Sequence, residues 1–146
     1  MTWYEKLADS RPPDFVIGDR YLERWWVIPR NRLFNIYLHC FWHSDDDRAL
    51  HDHPWFNVSY ILKGEYIEHT ISAGGVHYAK KYIAGEVKFR PPWAAHRIEI
   101  EKPPVWSLFI TGPVLRTWGF HCEKGWRPWQ QFVDKRDSGQ IGRGCE

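Results

Sequence analysis

Along this chain, apolar and polar positions alternate in short runs, and each run ends at a glycine, a proline or a polar cluster. Over positions 33–42 the alternation is clean. Ile36, Leu38, Cys40 and Trp42 fall on one side, Asn35, Tyr37, His39 and Phe41 on the other, which predicts a strand with one buried face. Positions 19–28 predict an earlier strand, closed by Pro29-Arg30-Asn31-Arg32. Positions 57–71 read as strand, turn at Lys63-Gly64-Glu65, and strand again, and Ala73-Gly74-Gly75 signals a hairpin. Further strands are expected at 76–83 and 86–89, around Ile98 and Ile100, at 105–110 and within 114–121. Helix is expected only at the edges. The opening segment to Ser10 predicts one or two turns burying Trp3, Tyr4 and Leu7, and positions 125–133 a short helix on the outside of a sheet. From Asp137 onward a flexible or loosely docked end is expected. Many short strands with almost no helix argue for an antiparallel sandwich or barrel.

Composition narrows the class. At 146 residues and 43% hydrophobic, the chain suits a single domain over 1–146 with one continuous core. Net charge is +2, and no like-charge block exceeds Asp45-Asp46-Asp47, so no nucleic-acid footprint is present. That acidic run lacks the spacing of a calcium loop and reads as solvated. No stretch is apolar enough to cross a membrane as a helix, and no signal segment opens the chain, so a cytoplasmic location without membrane contact is expected. Cys40, Cys122 and Cys145 are far apart and odd in number, which suits a reducing compartment better than a disulfide scaffold. Aromatic content is the outlier: 17%, with ten tryptophans, enough to fill a β-core and also to line a concave site.

The chemistry concentrates in His51-Asp52-His53-Pro54-Trp55-Phe56-Asn57 and in the later His96. Two histidines one residue apart on a strand point to the same face, and their imidazoles can reach one ion. A third imidazole from another strand completes an open three-nitrogen face of the kind used by catalytic zinc and non-heme iron. His39, His43, His69, His77 and His121 read as surface or hydrogen-bonded core residues, with His69 or His77 a substitute ligand if their hairpin folds over the mouth. Trp55 and Trp93, each close to a ligand histidine, and Tyr60 are candidate substrate contacts. Arg48, Arg90 and Arg97 are candidate anchors for a carboxylate or phosphate, Arg97 facing away from the metal if His96 faces it.

In these residues the sequence resembles the cupin superfamily. His51-x-His53, three residues, Asn57, six residues and Gly64 reproduce the spacing of the first cupin motif, at about 45–64. Gly85, Pro91, Trp93, His96 and Ile100 fall in register with the second, at about 85–100. Four positions depart: Asp45 stands for the first glycine, Asn57 for the ligand glutamate, Trp93 for a glycine and Ile100 for the closing asparagine. The resemblance implies an all-β double-stranded β-helix, or jelly-roll barrel, with short peripheral helices. It also implies a divalent metal on His51, His53 and His96, with Asn57 as a weak fourth ligand or the holder of a metal-bound water. Without the glutamate the ligand set is neutral, similar to three-histidine iron(II) dioxygenases of the superfamily. Iron(II) is therefore the expected metal, with zinc, nickel or manganese as alternatives. A metal-dependent, dioxygenase-like enzyme acting on a small anionic or aromatic molecule is the leading expectation. The others are a non-oxidative isomerase, epimerase or lyase, and a non-catalytic ligand-binding barrel. A homodimer is expected from the resemblance and the aromatic surface.

Overall fold

Among the described residues the strand pattern is realised as twelve short strands and two short helices. In the computed structural model, residues 1–44, 49–72 and 74–146 are described. Asp45, Asp46, Asp47, Arg48 and Ala73, with the readings placed on them, lie outside the described residues. The elements are α1 (Trp3–Ser10), β1 (Phe15–Ile17), β2 (Leu22–Trp26), β3 (Asn35–Phe41), β4 (Leu50–His51), β5 (Asn57–Lys63) and β6 (Glu65–Ser72). They continue with β7 (Val76–Ile83), β8 (Val87–Arg90), β9 (His96–Glu99), β10 (Val105–Thr111), β11 (Gly119–Cys122), β12 (Gly125–Pro128) and α2 (Trp129–Phe132). Two six-stranded sheets form, in the orders β1-β2-β3-β10-β5-β8 and β12-β11-β4-β9-β6-β7. The paired strands run antiparallel. Gly64 and Gly85 hold φ of +87° and +93°, a left-handed conformation that glycine adopts without the clash of a Cβ. This is the physical reason for two of the glycines in the cupin-like spacing.

The core lies between the sheets, where Leu22, Phe41, Ile61, Tyr66, Ile98 and Val105 pack together. A second layer forms on the outer face of the first sheet. There Tyr4 of α1 packs against Trp25, Leu38, Cys40 and Trp106. Thr2 starts this helix with a capping box: its hydroxyl accepts from the Glu5 N–H, and the Glu5 carboxylate accepts from the Thr2 N–H at 2.8 Å. Strand β3 is consequently buried on both faces, where alternation predicted one. The helix that covers it is distant in sequence, so alternation within the strand carries no trace of it. Trp3 is a second difference, being 48% exposed while Tyr4 turns inward.

The C-terminal segment is docked, contrary to expectation. Gly142 and Gly144 donate backbone N–H groups to the Phe132 carbonyl, both at 3.0 Å, and Gly18 donates to the Gly139 carbonyl at 2.7 Å. Phe132 of α2 stacks on Phe120 with ring centroids 3.6 Å apart. Cys122 and Cys145 form a disulfide that joins β11 to the end of the described chain. This corrects the reading of three isolated thiols and withdraws the support they lent to a reducing compartment. Only tertiary contact brings these two cysteines together. Cys40 is the free cysteine; burial, with a smaller push from Glu23, raises its thiol to about 12.

Thiol titration under non-reducing conditions checks this arrangement. The native protein is expected to show no reactive thiol, because Cys40 is buried and protonated. Unfolding without reductant should release one thiol, and unfolding with reductant all three cysteines of the sequence. Cys122→Ser should lower unfolding stability by about 3 kcal/mol, the loop-closure effect of a bridge of this span.

Candidate metal centre

The HxH segment is a strand only at its first member. His51 ends β4, and Asp52 and His53 leave the sheet. The local fold is fixed through Asp52, which turns away from its two neighbours and is almost completely buried. Its carboxylate accepts from the Gly119 N–H at 2.7 Å and the Trp126 indole N–H at 2.9 Å, and meets Arg116 and His121 at 3.1 Å each. The backbone is tied as well. The His53 N–H donates to the Pro92 carbonyl at 3.0 Å, and Arg116 donates to the His53 carbonyl at 3.1 Å. The two histidines thus share a side through an anchored loop. His96 arrives from β9, directly opposite His51 across the ladder.

The three imidazoles form one cluster. Each offers a ligand nitrogen, and these lie within 4.8 Å of one another. Ring centroids are separated by 5.1 Å for His51 and His53, 4.8 Å for His51 and His96, and 4.9 Å for His53 and His96. Burial lowers His53 strongly, and the neighbouring His96 and His51 add to the effect. Burial also lowers His96, outweighing its hydrogen bond to Glu68, which acts the other way. Neutral imidazole is the ligating form. His53 Nδ1 is buried with no hydrogen-bond partner among the described residues. Such an orphaned nitrogen in a three-imidazole cluster fits a divalent metal, which would take three nitrogens and keep open positions.

A carboxylate that sequence reasoning missed stands behind this cluster. Glu68 lies on β6, on the same face as Thr70, the cross-strand partner of His96, and is thus diagonal to His96. Its Oε2 is 2.7 Å from His96 Nδ1 and 2.7 Å from Lys88 Nζ, and its Oε1 accepts from Arg90. Burial pushes the Glu68 carboxyl up, but His96, Lys88 and Arg90 together hold it well below the usual carboxylate range. For Lys88, burial favours loss of the proton, and Tyr66 and Glu68 outweigh it. With Nδ1–H donated to the carboxylate, His96 keeps Nε2 free for a metal, the usual carboxylate–histidine support of a metal ligand. The three-histidine set itself contains no anionic group, as expected from the loss of the motif glutamate; the carboxylate stands behind His96 and is balanced by Lys88 and Arg90. The available signal was weak: Tyr66 and Glu68 alternate with Glu65 and Ile67 on a strand, which puts an acid in the same row as a buried aromatic.

Beside the histidines opens a cavity of about 490 Å³ between the sheets. Its walls include Trp55, Phe109, Trp118 and Phe120, and among the described residues its lining carries Arg24, Arg30 and Lys88 but no acidic side chain. Trp55 stacks on His53 with centroids 5.3 Å apart. The remaining sequence candidates fall outside the lining. Asn57 is buried on β5, its amide donating to the Trp55 carbonyl at 3.4 Å, and does not line the cavity. Arg90 is committed to Glu68 and, at 2.9 Å, to the Tyr82 hydroxyl, so it binds an internal carboxylate in place of a ligand's. Tyr60 alternates to the outer face of β5, and Trp93 is 67% exposed beside Phe56. For Tyr60 and Trp93 the sequence marks nearness to the motif, while strand alternation and the Pro-Pro turn decide direction. His69 and His77 contact each other at 2.9 Å on the β6–β7 hairpin instead of joining the cluster. His39, read as a satisfied core residue, lines the cavity.

No protein-family model and no curated protein matches this sequence. Solved structures do resemble it. A Klebsiella pneumoniae protein with a double-stranded β-helix domain aligns over 82% of this chain and 95% of its own, at 14% identity and a TM-score of 0.57. Oxalate decarboxylase of Bacillus subtilis, described with Mn(II) centres, aligns over 73% of this chain at 18% identity and a TM-score of 0.56. This chain spans about 30% of that enzyme's length. Together with the two antiparallel sheets around a histidine-lined cavity, these likenesses show that the chain has the cupin fold, the double-stranded β-helix.

Proposed function

We propose that this protein is a metal-dependent enzyme of the non-heme iron dioxygenase type, acting on a small anionic molecule with an aromatic or apolar body. One observation carries the reading: three imidazoles converge in a cavity whose lining is largely aromatic and, among the described residues, free of acids. His51, His53 and His96 would hold the metal through neutral nitrogens. Iron(II) bound there would supply oxygen activation beside a chelating substrate. Glu68 keeps the His96 ring in one orientation and one tautomer by accepting from Nδ1. Trp55 and Phe109 narrow the space beside His53 and exclude water from it. The cationic lining favours an anionic substrate over a neutral one. A second reading, a non-oxidative isomerase or lyase on the same site, is favoured by Lys88: this buried ammonium lines the cavity and shares the carboxylate that supports His96.

Metal analysis by mass spectrometry, on protein purified anaerobically without a chelating tag, tests the reading directly. Near-stoichiometric iron is expected in the native chain and its loss in His51→Ala and His96→Ala, followed by oxygen uptake when small carboxylic acids are supplied. Turnover that proceeds without oxygen would select the isomerase or lyase reading. A native chain that takes up neither iron, zinc, nickel nor manganese would leave a metal-free binding barrel. Glu68→Gln probes the support separately. It should weaken metal affinity by about 10- to 100-fold in a chelator competition. It should also cost about 3–5 kcal/mol in denaturant unfolding, since Lys88 and Arg90 lose their counter-charge. Unchanged metal affinity in a folded Glu68→Gln protein would remove Glu68 from the site.

A further inference from the structure

Of the cations in the cavity lining, Lys88 is neutralised by Glu68, whereas Arg24 has no such partner among the described residues. Arg24 lies directly opposite His39 across the β2–β3 ladder, and its Nε donates to His39 Nε2 at 2.9 Å. One face of the guanidinium lies over the Tyr37 ring, 4.6 Å from its centroid. These two contacts fix the plane of the group and use one of its five N–H donors. The edge formed by its two terminal nitrogens meets no acceptor among the described residues. The charged neighbour that acts on it is Arg30, of the same sign. Burial draws Arg24 down to about 10, which leaves it a cation at neutral pH.

His39 adds a second donor. Burial, reinforced by Arg24, keeps it uncharged. With Nε2 accepting from Arg24, the imidazole proton sits on Nδ1, which has no acceptor among the described residues. The unit is also close to the three histidines. The His39 ring stacks on Phe109 at 5.0 Å, Phe109 lies 6.1 Å from His53, and the Arg24 charge acts on His53. Both line the same cavity.

We propose that Arg24, aligned by His39 and Tyr37, binds the carboxylate of a small aromatic acid whose other end lies toward His51, His53 and His96. A half-buried guanidinium with no counter-charge among the described residues is unfavourable until an anion completes it. Two coplanar carboxylate oxygens match the free two-nitrogen edge, and one negative charge balances one positive. Trp26, Trp55, Phe109 and Trp118 give the lining flat apolar surface for the rest of the molecule. The orientation toward the histidines rests on the metal-centre reading; the anion site itself does not.

Titration calorimetry with phenylacetate and its neutral counterpart phenylacetamide, on the native protein before and after loading with redox-silent zinc, is the test. Phenylacetate should bind at least about tenfold more tightly than the amide. Arg24→Gln should lose about 10- to 100-fold in phenylacetate affinity and Arg24→Lys somewhat less, while both take up zinc like the native chain. Equal binding of acid and amide, unchanged affinity in folded Arg24→Gln, or no phenylacetate binding with or without zinc would each overturn the proposal. If neither variant folds, the comparison of acid and amide on the native protein decides alone. Arg24-dependent phenylacetate binding in a native chain that takes no zinc would keep the anion site and remove the metal centre.

Discussion

The buried carboxylate of Glu68 is the interaction on which the interior of this barrel depends. Through His96 and its own strand it belongs to one sheet, and through Lys88 and Arg90 it holds the other. An isolated carboxylate in this position would carry a desolvation cost of several kcal/mol and would favour its protonated form. Two cations and an imidazole N–H reverse that preference. The same is true in the other direction, because Lys88 and Arg90 are tolerated between the sheets only while Glu68 is ionised. A charge set of this kind specifies how the sheets face each other more sharply than apolar contact alone, which is non-directional. It also gives His96 one ring orientation, so that packing of the barrel and presentation of the candidate ligand are set by a single group.

The cavity has a comparable division of charge. On one side burial keeps His53 and His96 in the neutral form. On the other, Arg24 keeps its proton with no acid to meet it among the described residues. Aromatic rings fill the interval and keep the local dielectric low, which strengthens whatever electrostatic contacts a ligand makes there. Asp52 performs the anchoring on the outer side, fixing the loop between His51 and His53 to β11 and β12. The docked C-terminal segment, closed by the disulfide, supports those strands from behind. Segments that read as peripheral in the sequence therefore brace the site.

The sequence by itself determined most of the strands, the turns and the spacing of the histidines, although Gly125–Pro128, read as the start of a helix, is drawn into β12 by pairing with β11. Period-two alternation is a local property, and so is the need for glycine at the left-handed turns of Gly64 and Gly85, so both are written in consecutive residues. The spacing of His51, His53 and His96 carries the cupin resemblance, and the structure brings those three residues together. The tertiary structure alone decided which charges complete the site. Glu68 is 28 residues from His96, Arg24 is 15 from His39, and Cys122 is 23 from Cys145. Trp93 and Tyr60 sit near the motif in sequence yet face outward, while Asn57 and Arg90 point inward but stop short of the cavity lining. The reason is that a strand's own alternation says which side chains share a face but not which strand becomes its neighbour. Charge pairing, second burial by α1 and the disulfide all depend on that neighbour.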